Sequence, residues 1–135
     1  MGFEEHPNVA LIRQGLEAMV RGDMAWMNEH TADDIVWHVG GNNKMTGEYR
    51  GKEKLGEMFA GLQETMGDGG EIHDVVGNAE HVVTMGTASL KAPDGDSVEY
   101  RYVNIFHVKD GKVTEVWGMG EDDSVTDLFF DKLVM

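Results

Sequence analysis

From Pro7 onward, apolar residues fall at Val9, Ile12, Leu16, Met19 and Val20, mostly three and four positions apart. That period predicts an amphipathic helix. Pro7 suits its first turn, where a missing N–H costs nothing, and Gly22 suits its end. Asp23 is a good N-cap for a short second helix carrying Trp26 and Met27. An apolar run at Ile35–Val39 predicts a strand, followed by a loop through Gly40-Gly41-Asn42-Asn43. Tyr49 and Gly51 lead into a third helix with Leu55, Met58, Phe59, Leu62 and Met66 on one face. Gly67-Asp68-Gly69-Gly70 stops it.

Past that point the period changes. Glu71–Val76 and His81–Leu90 read as strands joined around Gly77-Asn78. In Ala92-Pro93-Asp94-Gly95-Asp96, proline sets φ and glycine supplies the positive-φ position, which predicts a turn. A long alternation from Ser97 to Lys109 puts Val98, Tyr100, Tyr102, Asn104, Phe106 and Val108 on one face. Asp110-Gly111 is a hairpin signal, and Lys112–Met119 should return antiparallel to the preceding strand. Leu128, Phe129 and Leu133 recur at helical spacing, so a short helix should close the chain.

Helices first and a meander of long strands afterwards make an α+β layout, with helices packed on one side of an antiparallel sheet. The 135 residues fit a single domain, 1–135, without repeat or linker. No apolar run approaches the roughly 18 residues of a membrane span. The first residues are acidic and carry no apolar signal segment, so a cytoplasmic location is expected. Cysteine is absent, which excludes disulfides, thiol nucleophiles and thiolate metal sites. Eleven basic against 25 acidic residues give a formal charge of −14. Such a field repels phosphate backbones and anionic membranes, so neither nucleic acid nor membrane is an expected partner. Ten methionines are adaptable fillers of irregular apolar space. Met58, Met66, Met85 and Met119 could line a pocket or simply fill the core.

Four segments carry a resemblance. They are Ala32-Asp33-Asp34-Ile35-Val36-Trp37-His38-Val39; Gly47-Glu48-Tyr49-Arg50-Gly51-Lys52-Glu53; Asp110-Gly111-Lys112-Val113-Thr114-Glu115-Val116-Trp117; and Asp122 through Asp127-Leu128-Phe129-Phe130. In this order and spacing the chain resembles the SnoaL-like branch of the nuclear-transport-factor-2-like superfamily, the group that includes ketosteroid isomerase and limonene epoxide hydrolase. The resemblance implies a cone: N-terminal helices held in a strongly curved sheet, around a deep apolar cavity. It also implies a homodimer paired through the outer face of the sheet. Function does not follow from the fold, which hosts isomerases, cyclases, hydrolases, dehydratases and non-catalytic binders.

Within that frame three residues are candidates for chemistry. His38 sits in an apolar run, and imidazole makes a general base near neutral pH with little tuning. By resemblance it falls near the general-base Asp of ketosteroid isomerase; the structural alternative is a core or edge histidine. Asp122 lies where SnoaL-like cyclases carry an acid/base Asp beyond the last strand, and an apolar pocket would raise its pKa. Glu121 and Asp123 compete for the same role, and a helix N-cap is the structural alternative for Asp122 or Asp123. Asn104, the one amide in its alternating row, could stabilise an enolate or carbonyl oxygen, or else bond to a neighbour within the sheet.

Trp37, Tyr49, Phe59, Tyr102, Phe106, Trp117, Met119 and Phe129 are candidate cavity-lining residues. No acid stands at Val103 or Asn104 and no tyrosine in the first helix, so both oxyanion donors of ketosteroid isomerase are missing and steroid isomerisation is disfavoured. Arg101 has Val103 two residues on, which leaves the Asp-Arg-Asp set of the epoxide hydrolase incomplete; Glu99 or Glu115 are its expected partners. No HExxH spacing, phosphate-cradling loop or dinucleotide fingerprint occurs, so neither metal nor cofactor is expected. The expectation is a cofactor-independent proton-transfer enzyme acting on a small apolar carbonyl-bearing metabolite, as isomerase, cyclase or dehydratase. A non-catalytic binder of the same fold and a pure dimerisation domain are its rivals.

Overall fold

The structure is a computed structural model and describes residues 5–63 and 70–133. Helix α1 spans Pro7–Arg21. His6 caps it, its Nδ1 accepting from the Asn8 N–H at 3.1 Å. Gly22, at φ 72°, turns the chain out of the helix in the left-handed region that glycine adopts without strain. Asp23 caps α2 (Met24–Glu29) by accepting from the Trp26 N–H at 3.0 Å. Strand β1 covers Thr31–Val39, four residues earlier at its start than the apolar run predicts.

The next element is absent from the sequence expectation: Gly47–Arg50, read as the approach to a helix, forms a short strand β2. Helix α3 then runs over Gly51–Gln63. The expected pocket residue Met66 and the stop at residues 67–69 lie outside the described residues. Strands β3 (Glu71–Gly77), β4 (His81–Lys91), β5 (Ser97–Lys109) and β6 (Lys112–Gly120) follow, and α4 spans Asp123–Leu133. The β5–β6 turn has Asp110 at φ 52° and Gly111 at φ 76°, the two successive positive angles of a type I′ hairpin.

The six strands lie in the order β2-β1-β6-β5-β4-β3. Four junctions are antiparallel, as expected, but β1 and β6 run parallel, with His38 opposite Trp117. The sheet is therefore mixed. β1 occupies the edge of β6 that a plain meander would leave with unpaired N–H and C=O groups.

One face of this sheet holds the core. Ile35, Val82, Val116, Phe106 and Val108 meet Val9 and Ile12 of α1 and Leu55 and Met58 of α3. At the far end Phe129 of α4 packs with Leu90 and Ala92. Among the described residues no helix is long and apolar enough to cross a membrane.

Thr84 is the exception inside this core. It is fully buried on β4, opposite Asn104 of β5, and its hydroxyl finds no hydrogen-bond partner among the described residues. Valine keeps nearly the same shape and removes a buried unsatisfied group. Thr84→Val is therefore expected to leave the urea midpoint unchanged or to raise stability by about 1–3 kcal/mol. A clear loss of stability would show that the hydroxyl has a partner in solution.

Candidate functional site

Strand alternation decides what reaches the interior. On β5 the row Tyr100, Tyr102, Asn104 and Phe106 points inward, and on β1 the inward residues are Trp37 and Val39. With Met58 and Phe59 of α3, Leu16 and Met19 of α1 and Phe130 of α4, they enclose a cavity of about 300 Å³. Its lining is mostly apolar and aromatic. Trp37 meets Phe59 and Phe106 edge-on, with ring centroids 5.1 and 6.1 Å apart.

Two glycines open room for polar groups on this surface. A Cβ at Gly118 would come within 3.1 Å of Asn104 Oδ1 and 3.6 Å of Trp37 Nε1, so the amide and the indole N–H share the space above that glycine. A Cβ at Gly86 would lie 3.0 Å from the Tyr102 phenol oxygen. Among the described residues, no hydrogen bond engages the Asn104 side chain, the Trp37 indole or the Tyr102 hydroxyl. Burial raises the pKa of Tyr102. Burial, and secondarily Tyr102, pushes Tyr100 up to about 12. Both phenols are therefore protonated near neutral pH and can donate.

The cavity mouth is built by residues 40–46 and α4. Gly41, at φ 87°, passes so close to α4 that a Cβ there would sit 2.7 Å from Asp127 Oδ1. Asp127 Oδ1 accepts from the Asn42 N–H at 2.9 Å and from Asn43 Nδ2 at 2.7 Å, and Asp131 Oδ1 accepts from the Lys44 N–H at 2.9 Å. Gly40, Asn43 and Met45 on one side, and Asp123, Thr126 and Phe130 on the other, line the opening.

Asn104 is thus where the sequence suggested, and so are Trp37, Phe59, Tyr102, Phe106 and Met119. His38 is not. The pleat that turns Trp37 inward turns His38 onto the outer face of the sheet. There its ring stacks on Trp117 with centroids 5.4 Å apart. Its Nε2–H donates to Glu115 Oε2 at 2.5 Å, and Nδ1 lies 3.5 Å from Glu48 Oε1. Asp122 is also outside. It is fully exposed and accepts from the Ser124 N–H at 3.0 Å and the Ser124 hydroxyl at 2.6 Å, holding the start of α4. Those bonds from Ser124 lower its pKa, opposite in sign to the shift an apolar pocket would produce.

The remaining lining candidates divide for similar reasons. Trp117 shares the outer face with His38, Phe129 is buried beside Leu90, and Tyr49 packs against the core while its hydroxyl donates to the Met45 carbonyl at 2.7 Å. Met58 lines the cavity with Met119, whereas Met85 does not. Arg101 reaches neither Glu99 nor Glu115 but Glu121, at 3.8 Å. Tyr100, Phe130 and Asn43 were missed. The β5 alternation already pointed to Tyr100; the other two needed the docking of α4 on the loop. Of the three terminal acids, Asp123 is the one that lines the cavity.

The SnoaL-like domain family matches residues 12–116. A search of curated proteins gives no match. Among solved structures the chain is similar to Bal32a, from a soil-derived mobile gene cassette, with 21% identity over 91% of this chain and 95% of that one and a TM-score of 0.82. It is similar to an NTF2-like protein of Burkholderia xenovorans LB400, with 25% identity, coverage of 92% and 95%, and a TM-score of 0.77. It is also similar to IdmH of Streptomyces antibioticus, a candidate polyketide cyclase, with 24% identity, coverage of 92% and 97%, and a TM-score of 0.72. These likenesses speak for the fold. The family match runs from α1 into β6, through the core and most of the cavity wall, and the chain belongs to the SnoaL-like domain family.

Proposed function

We propose that this domain binds a small, flat, mostly apolar molecule in its cavity and fixes it through one oxygen atom. The observation that carries this reading is the set of uncommitted polar groups, the Trp37 indole N–H, the Asn104 amide with its Oδ1 over Gly118, and the Tyr102 hydroxyl, in a mostly apolar enclosure. Polar groups left without partners at an apolar surface lose free energy that a ligand oxygen can restore. A phenol hydroxyl above Gly118 would accept from the Trp37 indole N–H and donate to Asn104 Oδ1, while the aromatic walls cover a planar ring system. Binding without catalysis is the reading the geometry favours, because the imidazole and carboxylate expected to exchange protons lie on the outer face and at the α4 cap.

A second reading adds proton transfer. It rests on Asp123, the only carboxylate of the described lining. Its signature is turnover of a bound molecule that disappears in Asp123→Asn while the affinity is retained.

The outer face supports a further part of the proposal. Val83, Ile105 and Trp117 lie in register across β4, β5 and β6, with Met85 and Val103 in the next outward row. This apolar surface suits a second copy of the chain. Sedimentation should give a dimer for the wild type and a monomer for Trp117→Glu, and a wild-type monomer at high micromolar concentration would refute the pairing.

Asn104→Leu keeps the volume of the side chain and removes its amide. In a melting-temperature screen of phenols and other aromatic hydroxyl compounds, hits of the wild type are expected to weaken by about 3- to 30-fold, the worth of one or two hydrogen bonds. Hits that bind Asn104→Leu equally well would place the oxygen elsewhere.

Alkaline titration tests the buried phenols. The folded pKa of Tyr100, about 12, lies above its unfolded value near 10. The neutral form is therefore favoured by folding, and the associated stability is complete below pH 10 and lost as pH rises through 12. Following tyrosinate absorbance, Tyr100→Phe should remove the latest-titrating phenol and flatten the loss of stability between pH 10 and 12.

A further inference from the structure

The formal charges around the cavity are unevenly committed. The described lining contains no lysine, arginine or histidine, and one carboxylate, Asp123. The acids just before it and further along α4 are all engaged: Asp122 with Ser124, Asp127 with Asn42 and Asn43, Asp131 with the Lys44 N–H. Among the described residues no hydrogen bond or ion pair engages the Asp123 side chain. Its position in the first turn of α4 favours a negative charge through the helix dipole, but that role needs no place at the cavity mouth. Lys44, the basic residue of the facing loop, does not line the cavity.

Two further features select the same sign of charge. Six aromatic rings, those of Trp37, Phe59, Tyr100, Tyr102, Phe106 and Phe130, face the cavity, and an aromatic face attracts cations and repels anions. The protein as a whole carries −14, so any anion approaches against its field. A carboxylate or phosphate ligand would enter with no cation to receive it and one carboxylate to oppose it.

Building on the binding reading above, we propose that the cavity selects cationic ligands: an aromatic or polycyclic amine whose ammonium group sits at the mouth against Asp123. Its ring system lies between the aromatic walls, and a hydroxyl substituent, where present, reaches the Trp37 indole N–H and Asn104 Oδ1. Neutral molecules of the same shape bind less tightly, and carboxylates least.

The test uses three probes of one shape, 2-(2-naphthyl)ethylamine, 2-(2-naphthyl)ethanol and 2-naphthylacetate, titrated calorimetrically into the full chain at neutral pH and low salt. Because Asp123 is exposed to water at the mouth, the amine is expected to bind only about three- to tenfold tighter than the alcohol, with the acetate weakest. Asp123→Asn should bring the amine to the affinity of the alcohol and leave the alcohol within about twofold of wild type, while Asp123→Glu keeps the preference. Far-UV circular dichroism confirms that each variant is folded. Equal binding of amine and alcohol by the wild type, or a preference that survives Asp123→Asn, overturns the charge selection and leaves the binding reading standing. Failure of all three probes to bind overturns both.

Discussion

The pleat of β1, locked in place by its parallel pairing with β6, is the constraint on which the rest of the site depends. Successive side chains of a strand point to opposite faces. Once Trp37 is set opposite Val116, and His38 opposite Trp117, the indole must enter the cavity and the imidazole must leave it. A slip of one residue would exchange them. Burial makes the observed register the stable one, since Ile35 and Val116 are completely enclosed and cannot be traded for Glu115 or His38.

That choice gives each face of the sheet its own character. The inner face keeps apolar and aromatic walls and admits only uncharged polar groups, held over Gly86 and Gly118 because those positions carry no Cβ. The outer face takes the ionisable cluster, with His38 between Glu48 and Glu115 and stacked on Trp117. The imidazole of His38 is thus separated from the cavity by the thickness of the sheet. A cavity lined by aromatic rings and uncharged polar groups is compatible with this separation; a His38–Asp122 dyad is not.

The mouth follows a second logic. Helix α4 is fastened to residues 40–46 through the carboxylates of Asp127 and Asp131, which satisfy backbone N–H groups that the loop leaves free. Asp122 satisfies the start of the helix itself. Asp122 just before this helix and Asp127 and Asp131 on it therefore do structural work, and Asp123, set at the opening, is the one whose side chain no described residue engages.

Much of this was legible in the chain. Local signals carried the helix ends at Gly22 and Asp23, the Asp110-Gly111 hairpin and the inward row of β5 from Tyr100 to Phe106, because caps, positive φ angles and alternation act over a few residues. The four segments around Trp37, Tyr49, Trp117 and Phe129 were enough to point to the family. Contacts between distant segments were not legible. The parallel junction of β1 and β6, the strand at Gly47–Arg50, the outward turn of His38 and the choice of Asp123 over Asp122 are each fixed by partners far along the chain. Sequence period shows that neighbouring residues of a strand face opposite ways, but only the assembled core, by burying one set, decides which way is in.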